Sequence, residues 1–460
     1  MLAPSNVTTA VRLAFALFVV SVPAFYYFRH DGLGDGSRAF LPAFPSAPAS
    51  LGGEQTSEMG ASIEKEDFIA KILGTEIDGP FDAKPLQDLC ARTSWQEGLV
   101  MSCEATRGGG MGNIRNVFVD CVRFVIEAGA TGFVMPDILL RSNTDLSNLH
   151  SGPKVRFDYM FDSAYFKETL QAACPRLKVL DNPPTFRDPH KCNPQDPMND
   201  GWEVSPELIT LLAAPEKWRS QFDRWMANET FDLDSTQTKH VDIGSNILLW
   251  PMHHDGVPFM NTFGRIFRFP LSVRRLAATI LYNLHTTHLP NFLPVNGIQS
   301  NAYHGAHLRT SKDAVEAGWT PYEEQSAGYI AQARAANLNV IYVASGSVED
   351  TERFRADAAV HNITTVNKHD LLSESELLEL KALTWDQQGL IDYEVLLRAT
   401  EFGGIDTSSF AWNIALRRHI LSKRDDYLSG PEEQFNLKDE YSQVFGRRNR
   451  VTFFPRGLWP

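Results

Sequence analysis

Three short stretches of the chain hold residues whose types and spacing could bind an anion and polarise a bond to it. The first is Gly109-Gly110-Met111-Gly112-Asn113-Ile114-Arg115. Glycines let a main chain approach a ligand closely, and a helix beginning beyond them presents free N–H groups. Asn113 both donates and accepts hydrogen bonds, and Arg115 can pair with a negative charge. The second stretch is His307-Leu308-Arg309-Thr310-Ser311-Lys312-Asp313. On a strand His307 and Arg309 share a face. A guanidinium there can grip a phosphate with two parallel bonds, and Asp313 beyond the strand can orient a side chain or the ligand. The third is Asp406-Thr407-Ser408-Ser409-Phe410, whose hydroxyls and following helix start make another anion site. Each stretch also has an ordinary structural use: a tight strand-to-helix turn with a solvated arginine, an ion pair at a strand end, and a helix cap.

The surrounding pattern supplies elements to position these residues. Leu99-Val100-Met101-Ser102-Cys103 is a short apolar run suited to a buried parallel strand. Beyond the glycine turn, Ile114, Val117, Phe118, Cys121, Val122 and Val125 recur at helical spacing. Phe133-Val134-Met135-Pro136 reads as the next strand, which completes a βαβ unit. A second alternating set begins near residue 296. Its strands are expected at 301–309, 339–345 and 364–366, with helices at 326–336, 348–361, 390–400 and 409–419. Two doubly wound α/β halves facing each other fit this order, and ligands of such sheets bind outside the carboxyl ends of the strands. A nicotinamide enzyme is disfavoured, because Arg115 stands where the last small residue of a dinucleotide fingerprint must pack on the strand.

The chain has 460 residues, enough for two domains. Its 56 Asp+Glu against 43 Lys+Arg give a net charge of -13. That argues against a nucleic-acid coat, which needs a basic face. A mean hydropathy of -0.24 excludes a polytopic membrane protein. Leu13–Phe28 is free of charge, with Arg12 before it and Arg29 and His30 after it. We read this run as an uncleaved signal anchor, with a cleaved signal peptide as the rival. Residues 31–62, rich in Gly, Ser, Pro and Ala, read as a flexible stem. Asn228-Glu229-Thr230 and Asn362-Ile363-Thr364 match the glycosylation acceptor pattern. The cysteines are Cys90, Cys103, Cys121, Cys174 and Cys192, none in a CxxC. A zinc site is therefore not expected, and an oxidising lumen suggests two pairs and one free thiol. Cys121 falls on the apolar helix face and is expected to be the free one. That leaves Cys90–Cys103 and Cys174–Cys192, with other pairings open.

Taken jointly and in this order, Gly108–Asn116, His307–Asp313 and Phe402–Arg418 resemble the GDP-fucose protein O-fucosyltransferase family. The resemblance covers roughly residues 95–425, with support from Phe157–Phe166, Ile341–Phe354 and Ile391–Ala399. It implies a GT-B fold of two facing Rossmann-like domains, with the donor nucleotide held mainly by the second. It also implies metal-independent, inverting transfer in the endoplasmic reticulum or Golgi. The expected organisation is a cytosolic tail and anchor at 1–30, a stem at 31–75, an acceptor-side half at 76–292 and a GDP-sugar-binding half at 293–460.

Transfer from GDP-fucose breaks the bond between the anomeric carbon and a phosphate oxygen. Charge builds on the diphosphate, and without a metal, guanidinium and N–H groups must take it. Arg309 is the candidate for the β-phosphate and leaving oxygen. Thr407, Ser408, Ser409 and the amide of Phe410 would cradle the phosphates. Gly110, Gly112, Asn113 and Arg115 would face the fucose and acceptor from the other half. The resemblance suggests His307 and Asp392 for nucleoside contacts, with Asp313 nearby. An inverting mechanism wants a base near the acceptor hydroxyl, and Glu104 is the carboxylate nearest the glycine turn. Asp232-Leu233-Asp234 looks like a metal-binding D-x-D of another transferase class but is read as a solvated loop. The expected partners are GDP-fucose as donor substrate, a protein or glycan acceptor, and a membrane through residues 13–28. No cofactor, metal or nucleic acid is expected. The alternative is a catalytically silent relative that binds a nucleotide sugar or a glycoprotein.

Overall fold

Apolar residues at helical spacing begin the fold earlier than the composition suggests. The computed structural model describes residues 55–104, 110–142, 148, 152–184, 188–194, 211–212, 214–229, 231, 238–244, 246, 248–294, 297–424, 436–446 and 454–460. All packing below lies within the unit Ser57–Pro460. Helix α1 spans Gln55–Gly74 and sinks Phe68, Ile69 and Ile72 into the core. The stem expected over 31–75 is thus corrected in its last part: these residues recur three and four apart, so one helix face is apolar and is buried. Residues 31–54 and the anchor expected at 13–28 lie outside the described residues. Among the described residues no helix is long and apolar enough to cross a membrane.

The first half follows α2 (Lys84–Arg92) and runs β1 (Gln96–Cys103), α3 (Met111–Ala128), β2 (Ala130–Val134), β3 (Asp137–Leu139), β4 (Lys154–Arg156), α4 (Ser163–Ala173), β5 (Lys178–Leu180), β6 (His190–Cys192), α5 (Pro215–Asn228) and β7 (Lys239–Ile243). Five strands form a parallel sheet in the order β5-β2-β1-β7-β6. Met101 pairs with Phe133 on one side and Val241 on the other. Alternation along β1 buries Leu99, Met101 and Cys103 against the layer that holds α3. Helix α3 ends at Gly129, whose φ of 69° lets its N–H reach the carbonyls of Val125 and Ile126. Only glycine takes that left-handed cap without cost. The short hairpin β3–β4 stands apart from the sheet.

Helices α6 (Val257–Phe263) and α7 (Leu271–Thr287) lead into the second half. There β8 (His304–Leu308), α8 (Lys312–Glu316), α9 (Tyr322–Ala335), β9 (Val340–Ser345), α10 (Val348–Ala359), β10 (Thr364–Val366), α11 (Glu374–Ala382), α12 (Trp385–Leu397), β11 (Glu401–Ile405) and α13 (Ser409–His419) alternate. With β12 (Leu437–Lys438) and β13 (Ser442–Phe445), the sheet order is β10-β9-β8-β11-β13-β12, parallel except for β12. This is the two-sheet α/β architecture expected. One continuous apolar cluster reaches from Phe118 in the first half to Trp412 in the second. The last helix, α14 (Phe454–Gly457), and Trp459 return to α3 of the first half. Trp459 donates from Nε1 to Asp120 Oδ1 at 2.6 Å, and Asn116 Nδ2 donates to the Gly457 carbonyl at 2.8 Å.

The cysteine pairing differs from the expectation. Cys90 bonds Cys174, and Cys103 bonds Cys121, with Cα separations of 5.4 and 6.1 Å, while Cys192 is buried and belongs to neither disulfide. The apolar face of α3 that seemed to hide Cys121 is the face packed on β1, which brings it to Cys103.

Candidate active site

The carboxyl ends of β8 and β9, the starts of α3, α12 and α13, and the residue two beyond β3 surround one cavity of about 660 Å³. Both halves line it. Of the residues singled out in the sequence, Gly110, Gly112, Asn113, His307, Arg309, Asp313, Asp392, Thr407, Ser408, Ser409 and Phe410 all meet there.

Arg309 stands one residue beyond β8. Its Nη1 and Nη2 donate to Asp313 Oδ1 and Oδ2 at 3.0 and 2.6 Å, and its guanidinium lies 5.4 Å from the Trp319 ring centre. Gln325 fixes the backbone, accepting from the Arg309 N–H at 2.9 Å and donating to the Arg309 carbonyl at 3.0 Å. The strand-end ion pair is therefore real, but it lies inside the cavity rather than on open surface. Burial pushes the Asp313 carboxyl up. The Arg309 charge and hydrogen bonds, helped by Ser311 and the Ala314 amide, outweigh it and hold the carboxyl below its ordinary value.

His307 packs against Phe410 with ring centres 4.6 Å apart, and its Nδ1 has no partner. Burial, and then the Arg309 charge, pull its pKa down to about 3, so the imidazole is neutral near pH 7. A neutral ring can accept at one nitrogen and donate at the other. Asp392 accepts from Tyr342 Oη at 2.8 Å and Lys368 Nζ at 2.6 Å, so one partner already engages each oxygen.

Ser408 caps α13, its Oγ accepting from the Ala411 N–H at 3.3 Å. Thr407 Oγ1 and Asn113 Oδ1 are buried without hydrogen-bond partners. Polar atoms left open at the same cavity mark where a ligand can satisfy them. Gly112, which lines the cavity as expected of a ligand-facing glycine, also has a packing use. A Cβ there would stand 2.7 Å from the Ser409 carbonyl carbon, so the glycine lets the starts of α3 and α13 abut.

Two expected residues do not join the site. Arg115 is buried away from this cavity. Its Nη1 donates to Asn413 Oδ1 and the Trp459 carbonyl at 2.8 and 2.7 Å, and its Nη2 to the Gly264 and Pro460 carbonyls at 2.7 and 2.6 Å. Burial dominates and lowers its pKa to about 10. Glu104, just beyond β1, does not line the cavity and faces Lys191 Nζ at 3.7 Å. Nothing in the geometry sets it beside the Arg309 cluster.

One residue went unnoticed in the sequence. Arg141, beyond β3, lines the cavity with its guanidinium 5.2 Å from the Trp385 ring centre. No motif or periodicity marks it. Among the described residues no cluster of three or more His, Cys, Asp or Glu could hold a metal, and Asp232 and Asp234 lie outside the described residues.

Comparison with known proteins follows the same motifs. The family model described as GDP-fucose protein O-fucosyltransferase matches residues 100–421, well over half of the chain. No curated protein matches. A structure of POFUT1 in complex with GDP-fucose is 11% identical, covering 76% of this chain and 98% of that one at a TM-score of 0.44. The fucosyltransferase NodZ from Bradyrhizobium is 15% identical, covering 68% and 91% at 0.35. A mutant of Arabidopsis thaliana FUT1 in complex with GDP is 10% identical, covering 77% and 76% at 0.39. The extent of the family match carries the assignment: this chain belongs to the GDP-fucose protein O-fucosyltransferase family and is a fucosyltransferase.

Proposed function

We propose that the enzyme moves fucose from GDP-fucose to a hydroxyl of a protein or glycan acceptor, with inversion and without a metal, in the secretory pathway. The observation that carries this reading is the grouping of Arg309, the neutral His307 and the start of α13 around one cavity. As the acceptor oxygen bonds the anomeric carbon, the bond from that carbon to the β-phosphate oxygen breaks, and its electron pair leaves with GDP. The acceptor hydroxyl releases its proton. Arg309 would exchange Asp313 for the diphosphate and meet the charge that grows there. Thr407 Oγ1 and the first N–H groups of α13 would hold the phosphates, and Asn113 Oδ1 would meet the sugar. The two disulfides and the exposed Asn362 turn support an oxidising, glycosylating compartment.

Asp313 already occupies the Arg309 fork, and that favours a second reading, a silent binder of the nucleotide sugar. One assay separates the two. The wild type is expected to hydrolyse or transfer fucose from GDP-fucose, but not sugar from other nucleotide sugars, and to keep that activity in EDTA. Binding of GDP-fucose with no turnover supports the silent binder. Activity lost in EDTA and restored by manganese overturns the metal-independent reading.

A further inference from the structure

Two arginines line the donor cavity, and they come from opposite halves: Arg309 from the second and Arg141 from the first. The Arg141 side chain is only 5% exposed, yet its charge is poorly answered. Its Nε stands 3.6 Å from Asp386 Oδ1 and its Nη1 4.0 Å from Asp313 Oδ2. Contacts of that length are ion pairs rather than hydrogen bonds. Its Nε is buried with no hydrogen-bond partner. A guanidinium out of water with an open donor is costly, and an acceptor brought into the cavity relieves that cost. Burial, the larger influence, and the nearby Arg309 charge lower its pKa against the opposing pull of Asp386 and Asp313.

The neighbours point to the acceptor. Arg309 and Arg141 share one carboxylate, Asp313. A diphosphate has oxygens enough to answer both guanidinium groups at once, which Asp313 does not. Gly110 keeps that space clear, since a Cβ there would come within 3.1 Å of Arg141 Nη2. We infer that Arg141 is the second cation on the diphosphate of the donor, supplied by the first half and parked between Asp313 and Asp386 until the donor arrives. This rests on the reading of the cavity as a GDP-fucose site. Stabilisation of the leaving group then depends on both halves together.

The test compares titration of GDP and of GMP, together with GDP-fucose turnover, for wild type, Arg141→Met, Arg141→Lys and Asp386→Asn. Arg141→Met is expected to weaken GDP about tenfold to a hundredfold, to change GMP far less, and to cut turnover by about 10²–10³. Arg141→Lys restores only part of the loss, because an ammonium lacks the planar fork. Asp386→Asn frees Arg141 and strengthens GDP several-fold. A merely structural ion pair predicts the opposite pattern: Asp386→Asn and Arg141→Lys lower the melting temperature and leave the GDP-to-GMP affinity ratio unchanged. That outcome overturns the inference, and so does a folded Arg141→Met with wild-type turnover and ratio. If Arg141→Met does not fold, the other two variants decide by the same ratio. A wild type that binds GDP but transfers no fucose defeats the assigned activity instead, while the ratio still judges Arg141.

Discussion

Arg115 and Arg309 look alike in the sequence, each at the edge of a motif with anion-binding residues, yet the fold uses them in opposite ways. Arg115 is saturated by an asparagine amide and three main-chain carbonyls. Those carbonyls belong to the backbone near Gly264 and to Trp459 and Pro460, so no ligand can replace them without moving the chain. Arg309 is answered instead by the side chain of Asp313, within a cavity. A carboxylate on a side chain can rotate away when a phosphate competes for the same fork. A partner that can be displaced, rather than the mere presence of an arginine, separates a binding group from a structural one.

The sharpest way to break this contrast is at Arg309. Arg309→Ala is expected to cut fucose turnover by about 10²–10³, or about 3–4 kcal/mol of barrier, with a smaller loss of GDP affinity and little change in folding. Steady-state kinetics with a GDP titration reads both numbers. Near wild-type transfer by a folded Arg309→Ala protein would sink the assignment of Arg309 to the leaving group.

The matching experiment at Arg115 should show the reverse. Arg115→Met strands four buried acceptors, each costing about 1–3 kcal/mol when left open, so a stability loss of about 3 kcal/mol or more is expected. Urea unfolding measures it, and turnover per folded molecule should stay close to wild type. A variant as stable as wild type but inactive would return Arg115 to the active site.

The smallest effect sharpens the comparison through pH. His304 and His307 both have pKa values drawn down to about 3, mainly by burial and then by the nearby Arg418 and Arg309 charges respectively. The unfolded chain binds protons at these residues from about pH 6.5 downward, while the folded chain does not. Stability from the neutral folded rings is therefore complete above about pH 6.5 and falls toward pH 3, by about 1.4 kcal/mol per pH unit for each histidine. Denaturant midpoints at pH 7, 6 and 5 check the slope. His307→Gln should remove the share of one histidine, and an unchanged slope in that variant shows that His307 is not held neutral.

Much of this protein was legible without a fold. The short apolar run of β1 and the helical spacing of α3 stated a βαβ unit, and the second alternating set followed the same rule. The glycine turn, the His307–Asp313 stretch and the Thr407–Phe410 stretch declared themselves by residue type, and the cavity gathers most of their functional groups. Local pattern suffices there because strand and helix periods are set by the backbone itself. The helix over 55–74 was legible in the spacing of Phe68, Ile69 and Ile72, but the glycine- and serine-rich composition around it masked the signal.

Tertiary structure alone decided the rest. Asn113 and Arg115 are two residues apart on a helix, so they point about 200° apart, and only one of them can face a given cavity. Which one does depends on where α13 and Trp459 pack, and no local pattern contains that. The pairing of Cys103 with Cys121 follows from α3 lying on β1, and that of Cys90 with Cys174 from the meeting of α2 and α4. Arg141 follows a strand of three residues, too short to show a period, and its charge acquires meaning only opposite Asp386, Asp313 and Arg309. Residue types and spacing along the chain state which chemistry is available. Contacts between residues far apart in sequence, fixed by burying apolar faces, settle which of those residues meet.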